Sequence, residues 1–194
     1  MSETKYIKVP GIASWNHVYK PDDFMNSLNY KITIIINEAT KALIQKYDLQ
    51  GKFTPHESGD ETYTFRRPAE KMIKKKWVSF APPVIYGKDG KVLCEYTYNG
   101  EVVQSVNDLV EYDKFEPTGE QPLIGHGSEV LLDVCVYGSV KGNGARLQSI
   151  KLVDLIEYIP DNAGTNGSSV DQGSVTKDNG GAGTVGAENA KAPW

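Results

Sequence analysis

PLIGHGSEVLLDVCVYGSVKGNGARLQSIKLVDLIEY, residues 122–158, reads as a glycine turn, a strand, a basic glycine loop and a closing strand. From Glu129 onward, Val130, Leu132, Val134 and Val136 fall on one face, and Glu129, Asp133 and Tyr137 on the other. That alternation is a half-buried strand. After the loop around Lys141-Gly142-Asn143-Gly144, the return strand starts with Ile150 and Leu152 in phase and then shifts to Val153 and Leu155. A change of phase inside one strand predicts a bulge or a bend into a second sheet. The whole stretch is the hairpin of a small β-barrel domain, followed at once by a terminal segment with no core-forming pattern.

Working outward, residues 5–15 read as a first strand, with Ile7 and Val9 alternating before a break at Pro10-Gly11 and a turn-forming loop at Tyr19-Lys20-Pro21-Asp22. Residues 30–37 place Ile32, Ile34 and Ile36 on one face and Lys31, Thr33 and Ile35 on the other. Asn37 is the expected N-cap of a short helix with Ala39, Ala42, Leu43 and Lys46 at helical spacing. Residues 62–67 form a short strand with Tyr63 and Phe65 on one face and Thr64 and Arg66 on the other, stopped by Pro68. Residues 70–77 fit either a short basic helix or a loop. Lys88-Asp89-Gly90 turns a hairpin between the strands at residues 84–86 and 92–93. Residues 94–121 mix aromatics with acids and read as an insertion that packs its rings on the domain. The expected organisation is one domain over residues 1–159 and a flexible, disordered tail over residues 160–194, which is rich in Gly, Ala, Asn, Ser and Thr.

The 194 residues are 39% hydrophobic, and no run of about 18 apolar residues interrupts them, which excludes a transmembrane helix. The first residues lack an apolar signal region, so a cytoplasmic protein is expected. Cys94 and Cys135 have no CxxC spacing, and His17, His56 and His126 have no paired spacing, so no metal and no cofactor is assigned. No GxSxG, phosphate loop or acid–histidine grouping supports catalysis, and the chain is read as not an enzyme. The formal charge is −4 but unevenly spread. Between residues 66 and 77, six cations (Arg66, Arg67, Lys71, Lys74, Lys75, Lys76) face only Glu70, whereas residues 91–121 are strongly acidic. Net charge is therefore a poor guide to the partner. The tail ends in Trp194, an indole with no use in a solvated linker and hence a candidate partner-docking anchor.

The strand NYKITIIIN after a KPD loop, the short helix, the TYTFRR strand, the PLIGHGSEV turn and the closing SIKLVDL resemble, in that order, the single-stranded DNA-binding proteins of short-tailed podophages. The resemblance covers most of residues 5–158, and its order is more specific than any one motif. It implies an all-β, mainly antiparallel OB-fold, a five-stranded barrel with one short inserted helix, and a homodimer. It implies coating of single-stranded DNA in phage replication, recombination and repair within the infected bacterial cytoplasm. By the same resemblance the tail recruits DNA polymerase and primase-helicase. The family tail is densely acidic and ends in Phe, whereas this one is nearly neutral and ends in Trp194.

Single strands are held by cations along the phosphates and by rings that stack on bases. Tyr63, Phe65, Arg66, Arg67, Lys71 and Trp77 supply both kinds of group in one stretch. The alternative is that Tyr63 and Phe65 are core and the cations a solvated face. The resemblance adds Arg66 in place of a family lysine, Tyr137 and Lys141 as counterparts of a loop aromatic and lysine, and Lys5 as an N-terminal lysine. Lys31, on the outer face of its strand, and Arg146, at the far end of the loop, complete the expected set. Trp15 and Tyr19 fit base stacking and buried packing equally. The rival class is a structural or protein-interaction β-domain of a virion, whose basic patch meets an acidic partner.

Overall fold

The computed structural model describes residues 4–24, 27–139 and 142–158. The elements in chain order are β1 (Lys5–Phe24), β2 (Ser27–Ile36), α1 (Glu38–Lys46), β3 (Thr54–Pro55), β4 (Glu61–Pro68), β5 (Glu70–Ile73), β6 (Lys76–Phe80), β7 (Val84–Tyr86) and β8 (Val92–Cys94). They continue with β9 (Tyr96–Tyr98), β10 (Glu101–Val102), β11 (Ser105–Val106), β12 (Glu116–Pro117), β13 (Glu129–Ser139) and β14 (Gly142–Asp154). The main sheet runs β3-β4-β2-β1-β13-β14-β7-β8, antiparallel throughout except where β7 pairs parallel to β14. Two small sheets, β10-β9-β12 and β11-β6-β5, flank it. The molecule is thus mostly β and mainly antiparallel with one α-helix among the described residues, and its main sheet is larger than the five strands expected, with eight strands in mixed pairing.

The core follows the alternation. Ile32, Ile34 and Ile36 from β2 and Val130, Leu132, Val134 and Val136 from β13 are all buried together with Val9, Phe65, Leu147 and Ile150. Each such side chain contributes roughly 1.5–3 kcal/mol by leaving water. The phase change in the closing strand is a bulge: Val130 pairs with Leu152 and Glu129 with Asp154, leaving Val153 without an opposite residue.

Several local expectations are corrected. β1 does not break at Pro10-Gly11 or end before residues 19–22. It runs on, pairing its first half with β13 and its second with β2. Gly11 is what permits the crossing, because a Cβ there would lie 2.5 Å from Ile34 Cδ1. In α1, Asn37 caps as expected, its Oδ1 accepting from the Thr40 N–H at 2.9 Å. The buried face, however, is Thr40 and Ile44 while Ala39 and Ala42 are exposed. Thr40 tolerates burial because its hydroxyl donates to the Pro10 carbonyl at 3.0 Å. Residues 70–77 are neither helix nor loop but the β5–β6 hairpin, turned by Lys74 and Lys75 at positive φ (50° and 66°). The acidic insertion packs its aromatics inward, with Tyr96 and Phe115 in the core. Cys94 and Cys135 are buried, unpaired thiols. No helix among the described residues is long and apolar enough to cross a membrane.

Candidate nucleic-acid interface

The outer face of β1, β2 and β4 carries one cluster. In register, Trp15 lies opposite Thr33 and Thr33 opposite Thr64; in the next outward row His17 lies opposite Lys31 and Lys31 opposite Arg66. Trp15 points outward because Ser14 is an extra residue in the β1–β2 ladder, a bulge that re-aims the strand. The bulge is held by the 125–128 turn, where the Ala13 amide donates to Ser128 O and the Gly127 amide to Ala13 O, each at 2.8 Å. Trp15 remains 47% exposed. The Lys31 ammonium sits 4.4 Å from its ring centroid and the His17 imidazole meets it edge-on at 4.5 Å. Lys31 also pairs with Asp22, and that hydrogen bond holds the Asp22 carboxyl below its usual range. Arg66 is exposed beside it.

All three histidines of the chain, scattered in sequence, meet along this bulge. The rings of His56 and His126 stack at 5.8 Å, with Ser14 offering its hydroxyl to His56 and its carbonyl to His126, each at 3.4 Å. No group of three or more potential metal ligands exists among the described residues.

A second cluster surrounds Tyr137 on β13. Its ring lies against Gly144 of β14, where a Cβ would come within 2.5 Å of ring carbons Cε2 and Cζ. The Lys71 ammonium stands 5.5 Å from the ring centroid. On one side of Tyr137 is a hollow of about 440 Å³ lined by Lys5, Lys46, Tyr47 and Asn143; on the other is one of about 390 Å³ lined by Tyr6, Lys71 and Arg146. Tyr6 is 71% exposed. Arg146 packs its guanidinium 5.2 Å from the Phe80 ring centroid and leaves its Nε without a partner. Cations and rings therefore alternate on a surface, the combination that tracks a phosphate backbone and stacks its bases.

Of the expected site residues, Lys31 and Arg66 come together at Trp15, and Lys5, Lys71, Tyr137 and Arg146 come together at the hairpin. Trp77 is exposed on β6, opposite Met72. Tyr63 and Phe65 are core, 2% and 1% exposed. The Tyr63 hydroxyl donates to Gln50 O at 2.7 Å, and burial raises its pKa. Neither ring offers a face to a base. Arg67 is also buried. Its guanidinium donates to the carbonyls of Ala81 and Gln104 at 2.7 Å each, to Leu147 O at 3.3 Å and to Gln148 Oε1 at 3.2 Å. Burial first, and the nearby Arg146 charge second, lower its pKa to about 10, so it stays charged at neutral pH. Its work is to tie β4 to β14 and to the 81–104 segment. Lys141 and Trp194 lie outside the described residues. Sequence reasoning missed Tyr6, Lys46 and Tyr47. Tyr6 had a signal, since it is out of phase with the buried Ile7 and Val9.

No family model matches the chain, and no curated protein matches it. Among solved structures it is similar to the single-stranded DNA-binding protein gp2.5 encoded by bacteriophage T7, at 19% identity and a TM-score of 0.46 over 86% of this chain and 98% of that one. It is similar to the single-stranded DNA-binding protein from bacteriophage Enc34, at 14% identity and a TM-score of 0.43 over 82% of this chain and 87% of that one. The Enc34 protein in complex with single-stranded DNA gives 13% identity and a TM-score of 0.42 over 78% and 88%. These three solved structures, each under 20% identical to this chain, are of phage single-stranded DNA-binding proteins.

Proposed function

We propose that this protein binds single-stranded DNA without strong sequence preference, as a coating protein of phage replication, recombination and repair. The observation that carries the reading is that two outward-facing rings, Trp15 and Tyr137, each have a lysine ammonium against them, with Arg66, Lys5 and Arg146 beside them. A stacked base contributes roughly 1–3 kcal/mol whatever its identity, and phosphate contacts carry no base information. In this reading β4-β2-β1-β13-β14 act as a five-stranded OB-type barrel. Arg67, bonded to Leu147 O, spans the gap between β4 and β14 that no backbone ladder fills.

The same reading takes residues 160–194 as a separate tail. Trp194 docks on the polymerase and primase-helicase, and the protein acts as a homodimer in the host cytoplasm. The test is anisotropy of labelled oligonucleotides across a salt series. The expected result is an affinity that falls with a log–log slope near −0.7 per phosphate contact and is nearly equal for mixed sequences of one length. An affinity independent of salt would sink the reading. Removal of residues 185–194 is expected to leave oligonucleotide affinity intact while the polymerase pull-down is lost; an unchanged pull-down would remove the docking role of Trp194.

A further inference from the structure

The β5–β6 hairpin is built unlike the rest of the surface. Its base is anchored: Val78, Ser79 and Phe80 are buried, the Phe80 amide donates to Ala69 O at 2.7 Å, and the Ser79 hydroxyl donates to Asp108 O at 2.9 Å. Beyond that base every residue from Lys71 to Trp77 is exposed. Met72 pairs across to Trp77 on one face of the ribbon, and Ile73 pairs to Lys76 on the other. Met72 is 54% exposed and Trp77 41%, so the two form an exposed cross-strand apolar pair.

The turn is Lys74-Lys75, both at positive φ. A two-residue turn of that hand is adopted far more readily by Asn-Gly, so its lysines occupy a strained position where a relaxed one was available. Strain held at an exposed tip is a pointer to use. The result is a firm, convex, two-stranded ribbon with Lys74, Lys75 and Lys76 at its end and an apolar pair on its side.

One side of this ribbon, at Lys71 and Ile73, borders the hollow beside Tyr137, while its Met72–Trp77 pair and its lysine tip stand exposed beyond that hollow. The complementary shape is a concave polyanion. The major groove of B-form DNA is about 12 Å wide and admits a two-stranded β-ribbon between its phosphate walls. The hairpin is also continuous with the candidate interface, since Lys71 at its base packs over Tyr137. We propose that the β5–β6 hairpin engages the groove of duplex DNA next to the strand held by Trp15 and Tyr137, so that the protein recognises single-strand–duplex junctions. The lysine tip meets the phosphates and Met72 and Trp77 meet sugar and base edges. This rests on the single-strand reading above for the neighbouring contact but not for the hairpin's own.

The test uses the full chain and the double variant Lys74→Asn/Lys75→Gly, which removes two charges while giving the turn the residues it prefers. It is therefore expected to melt no lower than wild type. Anisotropy is measured on a 20-nucleotide oligonucleotide, a 20-base-pair blunt duplex, and that duplex carrying the oligonucleotide as a tail. Wild type is expected to bind the tailed duplex about tenfold more tightly than the oligonucleotide. The variant is expected to keep its oligonucleotide affinity and lose that preference, with the salt slope on the tailed duplex reduced by about 1.8, or 0.9 for each lysine. Equal wild-type affinity for oligonucleotide and tailed duplex would overturn the proposal, as would an unchanged preference in the variant. An equal loss on both probes would also overturn it, making the hairpin part of the single-strand site. Wild-type binding to the blunt duplex but not to the oligonucleotide would support the hairpin and instead sink the single-strand reading.

Discussion

The Lys31 ammonium on β2 stands 4.4 Å from the centroid of the Trp15 ring on β1, so a cation and an exposed indole are presented together on one sheet face. Each supports the other. The lysine stem shields the indole from water and the ring quadrupole holds the ammonium where a phosphate beside a stacked base would lie. Trp15→Ala is expected to weaken oligonucleotide binding by about 5- to 150-fold, the equivalent of one lost stack of roughly 1–3 kcal/mol. Trp15→Phe retains most of the affinity. Unchanged anisotropy titrations with Trp15→Ala would remove this ring from the site.

Arg66 and Arg67 are neighbours in sequence with opposite expected phenotypes. Arg66→Ala leaves the urea midpoint within error and lowers affinity for all oligonucleotides alike, because it removes only an exposed phosphate contact. Arg67→Ala strips donors from two buried carbonyls, Ala81 O and Leu147 O, and from the part-buried Gln104 O, and is expected to cost about 3 kcal/mol of stability in urea unfolding. A stable Arg67→Ala protein with impaired binding would reverse the assignment.

Tyr137 and Gly144 act as one unit, since the ring occupies the space a side chain at residue 144 would need. Tyr137→Ala and Gly144→Ala are each expected to reduce oligonucleotide affinity, the first by about tenfold, within the range of one stack. The double variant should be no weaker than Tyr137→Ala alone, because the two changes remove the same contact. Additive losses in the four-way cycle would mean that Gly144 matters for some other reason.

Asp22 is held below the usual carboxylate range by the hydrogen bond from Lys31. A carboxyl whose folded pKa is depressed contributes stability that is present above its unfolded value of about 3.9 and lost as pH falls through the folded value. The acid limb of unfolding below about pH 4 is therefore expected to be shallower in Asp22→Asn than in wild type. The same change removes a negative charge from the proposed DNA face, so oligonucleotide affinity at neutral pH should rise. A fall in affinity would show that Asp22 is needed to aim Lys31.

What the sequence by itself determined is whatever rests on period-two alternation and local turn chemistry. The buried faces of β2 and β13, the Asn37 cap, the bulge at Val153 and the outward position of Lys31 and Arg66 were all legible, because each depends on residues a few positions apart. Parity in β4 also put Arg67 on the side of Phe65. That an arginine could stay there depended on carbonyls of Ala81, Gln104 and Leu147, which reach it only through the tertiary fold. The β5–β6 hairpin was illegible for a different reason: its turn uses Lys-Lys where the local signal would be Asn-Gly. The convergence of His17, His56 and His126 on the Trp15 bulge, and of Lys5, Lys71 and Arg146 on Tyr137, joins segments far apart in the chain. Register across the β1–β2–β4 and β1–β13–β14 ladders decided it, because strand pairing is a long-range choice that no window of sequence contains.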